Sequence, residues 1–271
     1  MSEKKVRHVL GLSGGKDSTA LALYMKKKHP ELEIEYFFSD TGAELEEVYE
    51  YLHELEKIIG PIHRLKADSN FDDLLKIHGH YLPSVRQRWC TVQMKLKPFE
   101  RFVGDDPVIN YVGIRADEAH YREGYKDGKP NIEVKFPFIE DGLTKNDVKN
   151  ILEASGIGLP KYYQWRSRSG CYFCFFQQKG EWVGLLDRHP DLYEKAAQYE
   201  KVNEVTGQRY TWMQGTSLEE FKLQADKYRQ AKAKDKDKHV SWQEQLKQQA
   251  ETNAFDDDDD LWDRGCSICH L

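Results

Sequence analysis

The stretch Val9-Leu10-Gly11-Leu12-Ser13-Gly14-Gly15-Lys16-Asp17-Ser18-Thr19 decides the fold. Val6 to Leu12 reads as a short buried strand, and the glycine pair is too flexible for a helix interior. An apolar-periodic helix then runs from Thr19 through Leu23 to Lys27. Gly14 and Gly15 allow positive φ and a close backbone approach to a ligand. The N–H groups at the helix mouth form an anion site, Ser13 and Ser18 add hydroxyls, and Lys16 adds a point charge. Such a turn suits a phosphate. It is not the Walker A pattern, which needs four residues between its glycines before Gly-Lys-Ser/Thr. Here the glycines are adjacent and Asp17 follows the lysine. A carboxylate in that place either holds a Mg2+ on bound phosphates or positions Lys16.

A chain of 271 residues with a formal charge of −6 can bury a sizeable core, and it carries no global basic field to recruit nucleic acid. No apolar run approaches the roughly 20 residues that cross a bilayer, and the N-terminus is charged rather than signal-like. The expectation is a cytoplasmic protein without a membrane partner. Cys90, Cys171, Cys174, Cys266 and Cys269 include two CxxC pairs. In a reducing compartment that usage favours metal or sulfur chemistry over structural disulfides.

Outward from the first strand, Glu33–Phe38 and Ile62–Leu65 read as strands. Helices are expected over about Ala43–Ile59 and Phe71–His78, an amphipathic helix ends near Val103, and Val108–Val112 is a further strand. Strands alternating with helices predict right-handed crossovers and a doubly wound, mostly parallel α/β sheet. Ligands of such sheets sit beyond the carboxyl ends of the strands. The glycine turn, Asp40-Thr41-Gly42 and Gly113-Ile114-Arg115-Ala116-Asp117 all lie at such ends. Asp40 suits a ribose hydroxyl, an adenine amine or a metal. Arg115 with Asp117 suits a bidentate clamp on phosphate with an orienting carboxylate.

Gly124–Lys135 is Gly- and Lys-rich and reads as a mobile loop over the site. Phe136–Ile139 reads as a short extended piece, followed by a helix to Ile157 that starts at Thr144 with Asp147 in its third position. Between Pro160 and Cys174 aromatic and cationic side chains interleave, a pattern shared by base-stacking surfaces and by aromatics buried around a metal knuckle. Helices over about Trp182–Val205 and Ser217–Lys232 form a C-terminal helical cap, with His189 opening a helix before Pro190. Beyond it the chain is polar, with an acidic run at Asp256–Asp260, and reads as a poorly ordered linker to the Cys266/Cys269 tail.

The run SGGKDS at Ser13–Ser18 resembles the PP-loop of the N-type ATP pyrophosphatases, the superfamily that includes the phosphoadenosine phosphosulfate (PAPS) reductase family. Four other segments extend the resemblance. Asp40-Thr41-Gly42 is similar to the family's DTG segment. Arg86-Gln87-Arg88-Trp89-Cys90-Thr91 with Lys95 and Pro98 is similar to its RWCT…K..P signature. Gly113 to Glu118 with Arg122 resembles GxRxDE..R, and Ser169-Gly170-Cys171-Tyr172-Phe173-Cys174 resembles its cysteine motif. Together these segments cover about the first two-thirds of the chain.

The resemblance implies a Rossmann-like, HUP-type domain over residues 1–178, the cap over 179–232 and the flexible tail over 233–271. It implies an adenine nucleotide, ATP with Mg2+, bound by Ser13, Gly14, Gly15, Lys16, Asp17, Ser18, Asp40, Thr41, Gly42, Gly113, Arg115 and Asp117. Lys16, Asp17 and Arg115 would be the catalytic set, with Arg115 stabilising charge at the α-phosphorus. Arg86, Arg88, Lys95, Arg122, Arg166 and Arg168 would contact phosphate or the acceptor. Cys90, Cys171 and Cys174 would hold an iron–sulfur cluster, or the two CxxC pairs with Cys266 and Cys269 a Zn2+.

The implied reaction is adenylation of an acceptor, a nucleic acid, for sulfur transfer or a related modification, with pyrophosphate released and a cysteine desulfurase or other sulfur donor as partner. Two alternatives are a PAPS or APS reductase and a non-catalytic nucleotide-binding subunit of a modification or defence complex. The complete SGGKDS run favours ATP, because the reductases of the superfamily usually lack it. The tail also departs from the reductase pattern of one cysteine between Glu and Gly.

Overall fold

A computed structural model of the protein describes residues 5–120, 129–202 and 209–236. Five strands, β1 (Arg7–Gly11), β2 (Ile34–Asp40), β3 (Ile62–Lys66), β4 (Val108–Tyr111) and β5 (Ile132–Lys135), form one sheet in the order β3-β2-β1-β4-β5. Every neighbouring pair is parallel. The period of two sorts the side chains onto two faces. Val9, Phe37 and Val108 meet Phe99 and Val103 on one face, while Leu10, Tyr36 and Phe38 join the larger core on the other. The two β1 neighbours, β2 and β4, are reached by crossovers that leave in opposite directions. A crevice therefore opens at the carboxyl ends of β1 and β4, where the strand order reverses.

The helices that build this crevice have local causes. Helix α1 (Lys16–Lys28) carries Asp17 in its first turn and Lys26, Lys27 and Lys28 in its last, which complements its dipole. Helix α2 (Glu46–Ile59) places Val48, Leu52 and Leu55 on one buried stripe. Asn70 caps α3 (Phe71–Ile77) by accepting the Asp73 N–H at 2.9 Å. The RWCT segment forms a short turn, α4 (Trp89–Thr91). A π-helical turn (Val92–Leu96) then leads into α5 (Lys97–Val103).

Several boundaries differ from the expectation. Helix α1 begins at Lys16 rather than Thr19, because Gly15 takes the extended N-cap conformation and the next residues already turn. Part of the stretch expected as a loop, Ile132–Lys135, is strand β5, paired with β4 through Val108↔Ile132 to Tyr111↔Lys135. Its Ile-Glu-Val-Lys alternation suits a sheet edge. The extended piece expected at Phe136–Ile139 is instead helical, α6 (Pro137–Glu140), with Pro137 in its first turn. Helix α7 (Lys145–Ser155) follows, its Thr144 N–H bound to the Asp147 carboxylate at 2.8 Å. Arg122, Cys266 and Cys269 lie outside the described residues, as does the linker beyond 236.

The cap has the two helices expected on either side of His189-Pro190, but they end at Gln198, and a pair of short strands precedes its last helix. Helix α8 (Lys179–Arg188) stops where Pro190 begins α9 (Pro190–Gln198), and β6 (Lys201–Val202) pairs antiparallel with β7 (Arg209–Tyr210) before α10 (Leu218–Lys236). His189 sits at the α8–α9 junction and bonds Glu47 through Nε2 at 3.0 Å. Trp182, Tyr193, Trp212, Leu218 and Phe221 belong to the same core as Leu10 and Phe38, so the cap is continuous with the sheet. No helix among the described residues is long and apolar enough to cross a membrane.

Glu200 ties the cap together, accepting the Trp212 N–H at 2.9 Å and the Leu218 N–H at 2.6 Å. Burial pushes its carboxyl up to about 7, and the two N–H donors only partly oppose this. The folded value lies above the unfolded one of about 4.3, so the contribution of Glu200 to stability is full at low pH and is lost as pH rises through about 7. Thermal melts from pH 5 to pH 8 should therefore show wild type losing more stability than Glu200→Gln. Parallel profiles for the two proteins would contradict this.

Candidate functional site

The glycine turn joins β1 to α1 at the crevice. Gly14 has φ of +71°, and a Cβ there would lie 2.7 Å from Cγ1 of Val48, so both conformation and space require glycine. Ser18 Oγ accepts the Ser13 N–H at 3.2 Å and donates to the Gly15 carbonyl at 3.3 Å. Ser13 Oγ accepts the Gly15 N–H at 3.3 Å. Two tyrosines from the turn Lys161–Gln164 close on the loop. Tyr162 donates its hydroxyl to the Gly14 carbonyl at 2.7 Å, and Tyr163 Oη accepts the Lys16 N–H at 3.2 Å. The Tyr163 oxygen thus takes the place at the helix mouth that an anion oxygen would take. These amide bonds are long and neutral, and phosphate oxygens would make stronger ones.

Beside the loop lies a chain of charges. Lys16 Nζ contacts Asp17 Oδ2 at 2.5 Å, and Arg115 Nη1 holds Asp17 Oδ1 at 2.9 Å. Arg115 also binds Asp117 through Nε at 3.0 Å and Glu118 through Nη2 at 2.6 Å. Burial opposes the charge of Arg115, but Asp17 and Glu118 outweigh it and keep the guanidinium protonated. Gly113 makes this junction possible, because a Cβ there would come within 3.2 Å of the Asp17 carbonyl oxygen. Arg115 is 5% exposed and committed to carboxylates on three sides. In this arrangement the guanidinium positions Asp17, and through it Lys16.

A second space, a solvent-connected cleft, opens over the ends of β1 and β2. Ser13, Thr41, Glu44, Lys95 and Arg168 line it with all of Cys90, Cys171 and Cys174. Cys171 Sγ lies 3.2 Å from Thr41 Oγ1 and 3.7 Å from Glu44 Oε1. Burial first, then the Glu44 carboxylate, pushes the Cys171 thiol well above its ordinary value. Metal and cluster ligands are thiolates. Among the described residues no group of three or more His, Cys, Asp or Glu side chains is arranged to hold a metal ion. Cys90, Cys171 and Cys174 share this cleft but are not placed there as a three-ligand set, and the other expected ligands, Cys266 and Cys269, lie outside the described residues.

The other expected contacts fall into different environments. Asp40 Oδ1 accepts from the Gly42 N–H at 2.9 Å and the Tyr49 hydroxyl at 2.8 Å, which shapes the Asp40-Thr41-Gly42 turn. Arg86 is exposed at the surface. Arg88 and Arg168 both lie over the Phe176 ring, at 5.2 and 5.3 Å from its centre. Arg166 is 3% exposed and donates to the carbonyls of Gly170 and Cys171 at 2.9 and 2.7 Å, so it holds the cysteine turn instead of meeting an acceptor. Tyr162, Trp165, Tyr172 and Phe173 are likewise buried core and present no stacking surface. Glu44, Lys145 and the role of Tyr163 were not legible as site features. Tyr163 stood only in an aromatic-rich run, and Lys145 is an ordinary residue at a helix start.

The phosphoadenosine phosphosulfate reductase domain matches residues 7–175. An uncharacterised protein of Methanocaldococcus jannaschii is 29% identical over 196 residues, covering 69% of this chain. The chain spans 40% of that protein's length. An uncharacterised 37.8 kDa protein of Escherichia phage 186 is 26% identical over 257 residues, covering 72% of this chain and 75% of its own. Among solved structures, phosphoadenylyl-sulfate reductase from Candida auris superposes with a TM-score of 0.48 at 16% identity, over 63% of this chain and 83% of that one. The U34-tRNA thiolase from Methanococcus maripaludis with its [4Fe-4S] cluster gives 0.43 at 15% identity, over 73% and 71%.

Arg115→Met would remove one buried counter-charge from both Asp17 and Glu118. Urea denaturation should then show a loss of about 3 kcal/mol, with Arg115→Lys recovering part of it. A Met variant as stable as wild type would show that the network does not organise this corner.

Proposed function

The chain belongs to the phosphoadenosine phosphosulfate reductase domain family, and from that premise we propose that it is an ATP pyrophosphatase that adenylates a nucleic-acid acceptor for sulfur transfer or a related modification. The observation that carries this reading is the intact chain Lys16–Asp17–Arg115 at the amino end of α1, beside the glycine turn. A triphosphate concentrates negative charge on its β- and γ-phosphoryl groups, and a lysine at a helix N-terminus neutralises it.

In this reading the amides of Gly14, Gly15 and Lys16 cradle the phosphates once Tyr163 gives up its bond to the Lys16 N–H. Asp17 directs the Lys16 ammonium, and Arg115 keeps Asp17 from rotating. A Mg2+ carried in on the phosphates would meet Asp117, the most exposed carboxylate bound to Arg115. A nucleophile of the acceptor attacks the α-phosphorus, the bond to the bridging α,β-oxygen breaks, and pyrophosphate leaves with that electron pair. Sulfur from the donor then attacks the activated position and AMP departs. Lys95 and Arg168 line the cleft and Arg88 lies over its Phe176 wall, a set of cationic side chains that supports a polyanionic acceptor.

Incubation with ATP, alone and with tRNA or duplex DNA, should release pyrophosphate and AMP, and Lys16→Ala should reduce that release by about 100-fold. Sulfite formed from PAPS and thioredoxin, with no pyrophosphate from ATP, would overturn the reading in favour of a reductase. Tight ATP binding without turnover under every acceptor would overturn it in favour of a binding subunit.

A further inference from the structure

We propose that Lys145 is the second cation of the polyphosphate site, holding with Lys16 the phosphoryl groups distal to the one cradled by the glycine turn. The inference rests on the ATP reading and names the part of the nucleotide that this corner recognises.

Lys145 is the first residue of α7, and tertiary structure alone brings it to the crevice. The Leu143 carbonyl accepts the Ala116 N–H at 2.9 Å, which pins the start of α7 against the Arg115–Glu118 turn. Helix α7 in turn packs along α1, the helix that begins with Lys16. The Lys145 side chain is half-buried there, within the fields of the Lys16 ammonium and the Arg115 guanidinium.

Three physical terms oppose a cation in that place. Burial penalises the charge, Lys16 and Arg115 repel it, and the amino end of α7 presents the positive pole of its dipole. The carboxylates that could compensate are otherwise engaged. Asp17 lies between Lys16 and Arg115, Asp117 and Glu118 hold Arg115, and Asp147 accepts from Thr144. Among the described residues no carboxylate forms an ion pair with Lys145. The first two terms lower the Lys145 pKa, with only partial relief from Asp117 and Asp17. A multiply charged anion lodged between Lys145 and Lys16 reverses the balance, since it attracts both ammonium groups and the helix pole together.

Calorimetric titration of the full chain tests this with four probes: ATP, inorganic pyrophosphate, AMP and adenosine 3′,5′-bisphosphate. Lys145→Gln should weaken ATP and pyrophosphate about tenfold or more and leave AMP unchanged, while Lys145→Arg should restore most of the loss. Lys149→Gln, on the same helix and paired with Glu153, should bind as wild type does. Without ligand, Lys145→Gln should melt no lower than wild type. Unchanged ATP and pyrophosphate affinity in Lys145→Gln, with wild type binding both, overturns the inference and leaves the proposed function standing. A loss confined to adenosine 3′,5′-bisphosphate assigns the lysine to a sulfonucleotide and also overturns it. A lower melting temperature with full pyrophosphate affinity assigns a structural role, with the same result. Wild type that binds neither ATP nor pyrophosphate instead fails the ATP reading itself.

Discussion

The Asp17 carboxylate, gripped by Lys16 on one side and Arg115 on the other, is the interaction on which the crevice depends. It joins the first turn of α1 to the end of β4, the two elements on either side of the point where the strand order reverses. A parallel sheet brings strand ends together there but does not by itself orient any side chain. The buried guanidinium does so, because removing it would leave several carboxylates facing one another in a low-dielectric corner. Gly113 is the steric condition, since a side chain would press on the Asp17 backbone.

The site has two compartments, and their chemistry differs. The corner at the glycine turn is dense in charge, with the Gly15 and Lys16 N–H groups held by Ser13 and Tyr163. The neighbouring cleft mixes aromatic walls with thiols and basic side chains. Cys171 is held there as a thiol by burial and by Glu44, and Arg166 fixes its turn through two backbone carbonyls. A protonated thiol enclosed beside a carboxylate is a poor nucleophile and a poor ligand until its surroundings change. The two compartments meet at Ser13 and at Ser169, whose Oγ lies 2.9 Å from the position a Gly15 Cβ would take. The cysteine turn therefore abuts the phosphate loop directly.

The cap supports this arrangement from behind. Phe71 packs on Trp89 and Phe173, and Phe173 stacks on Trp212 at 5.3 Å between ring centres. Side chains from α3, the RWCT segment, the cysteine motif and the end of the hairpin thus form one aromatic cluster. Other rings of the run from Pro160 to Cys174 pack elsewhere, Tyr162 and Tyr163 on the glycine turn and Trp165 beside His189. Tyr162, Trp165, Tyr172 and Phe173 are buried, as large aromatics favour.

Strand–helix alternation, the glycine turn and the grouping of Asp40, Arg115 and the turn at one end of the sheet were legible in sequence. Each rests on local rules: side-chain period, backbone freedom at glycine and the handedness of crossovers. Short elements were not legible. Strand β5 has only its pairing with β4 to define it, and α6 occupies a segment too short for periodicity to speak. Nor could sequence tell a cation that meets a ligand from one that meets its own chain. Arg166 and Arg115 look like ligands for phosphate in the linear text, yet they serve buried carbonyls and carboxylates. Lys145 looks ordinary, yet the fold sets it against Lys16. The fate of a charge depends on which partners burial brings within reach, and that is a property of the packed chain alone.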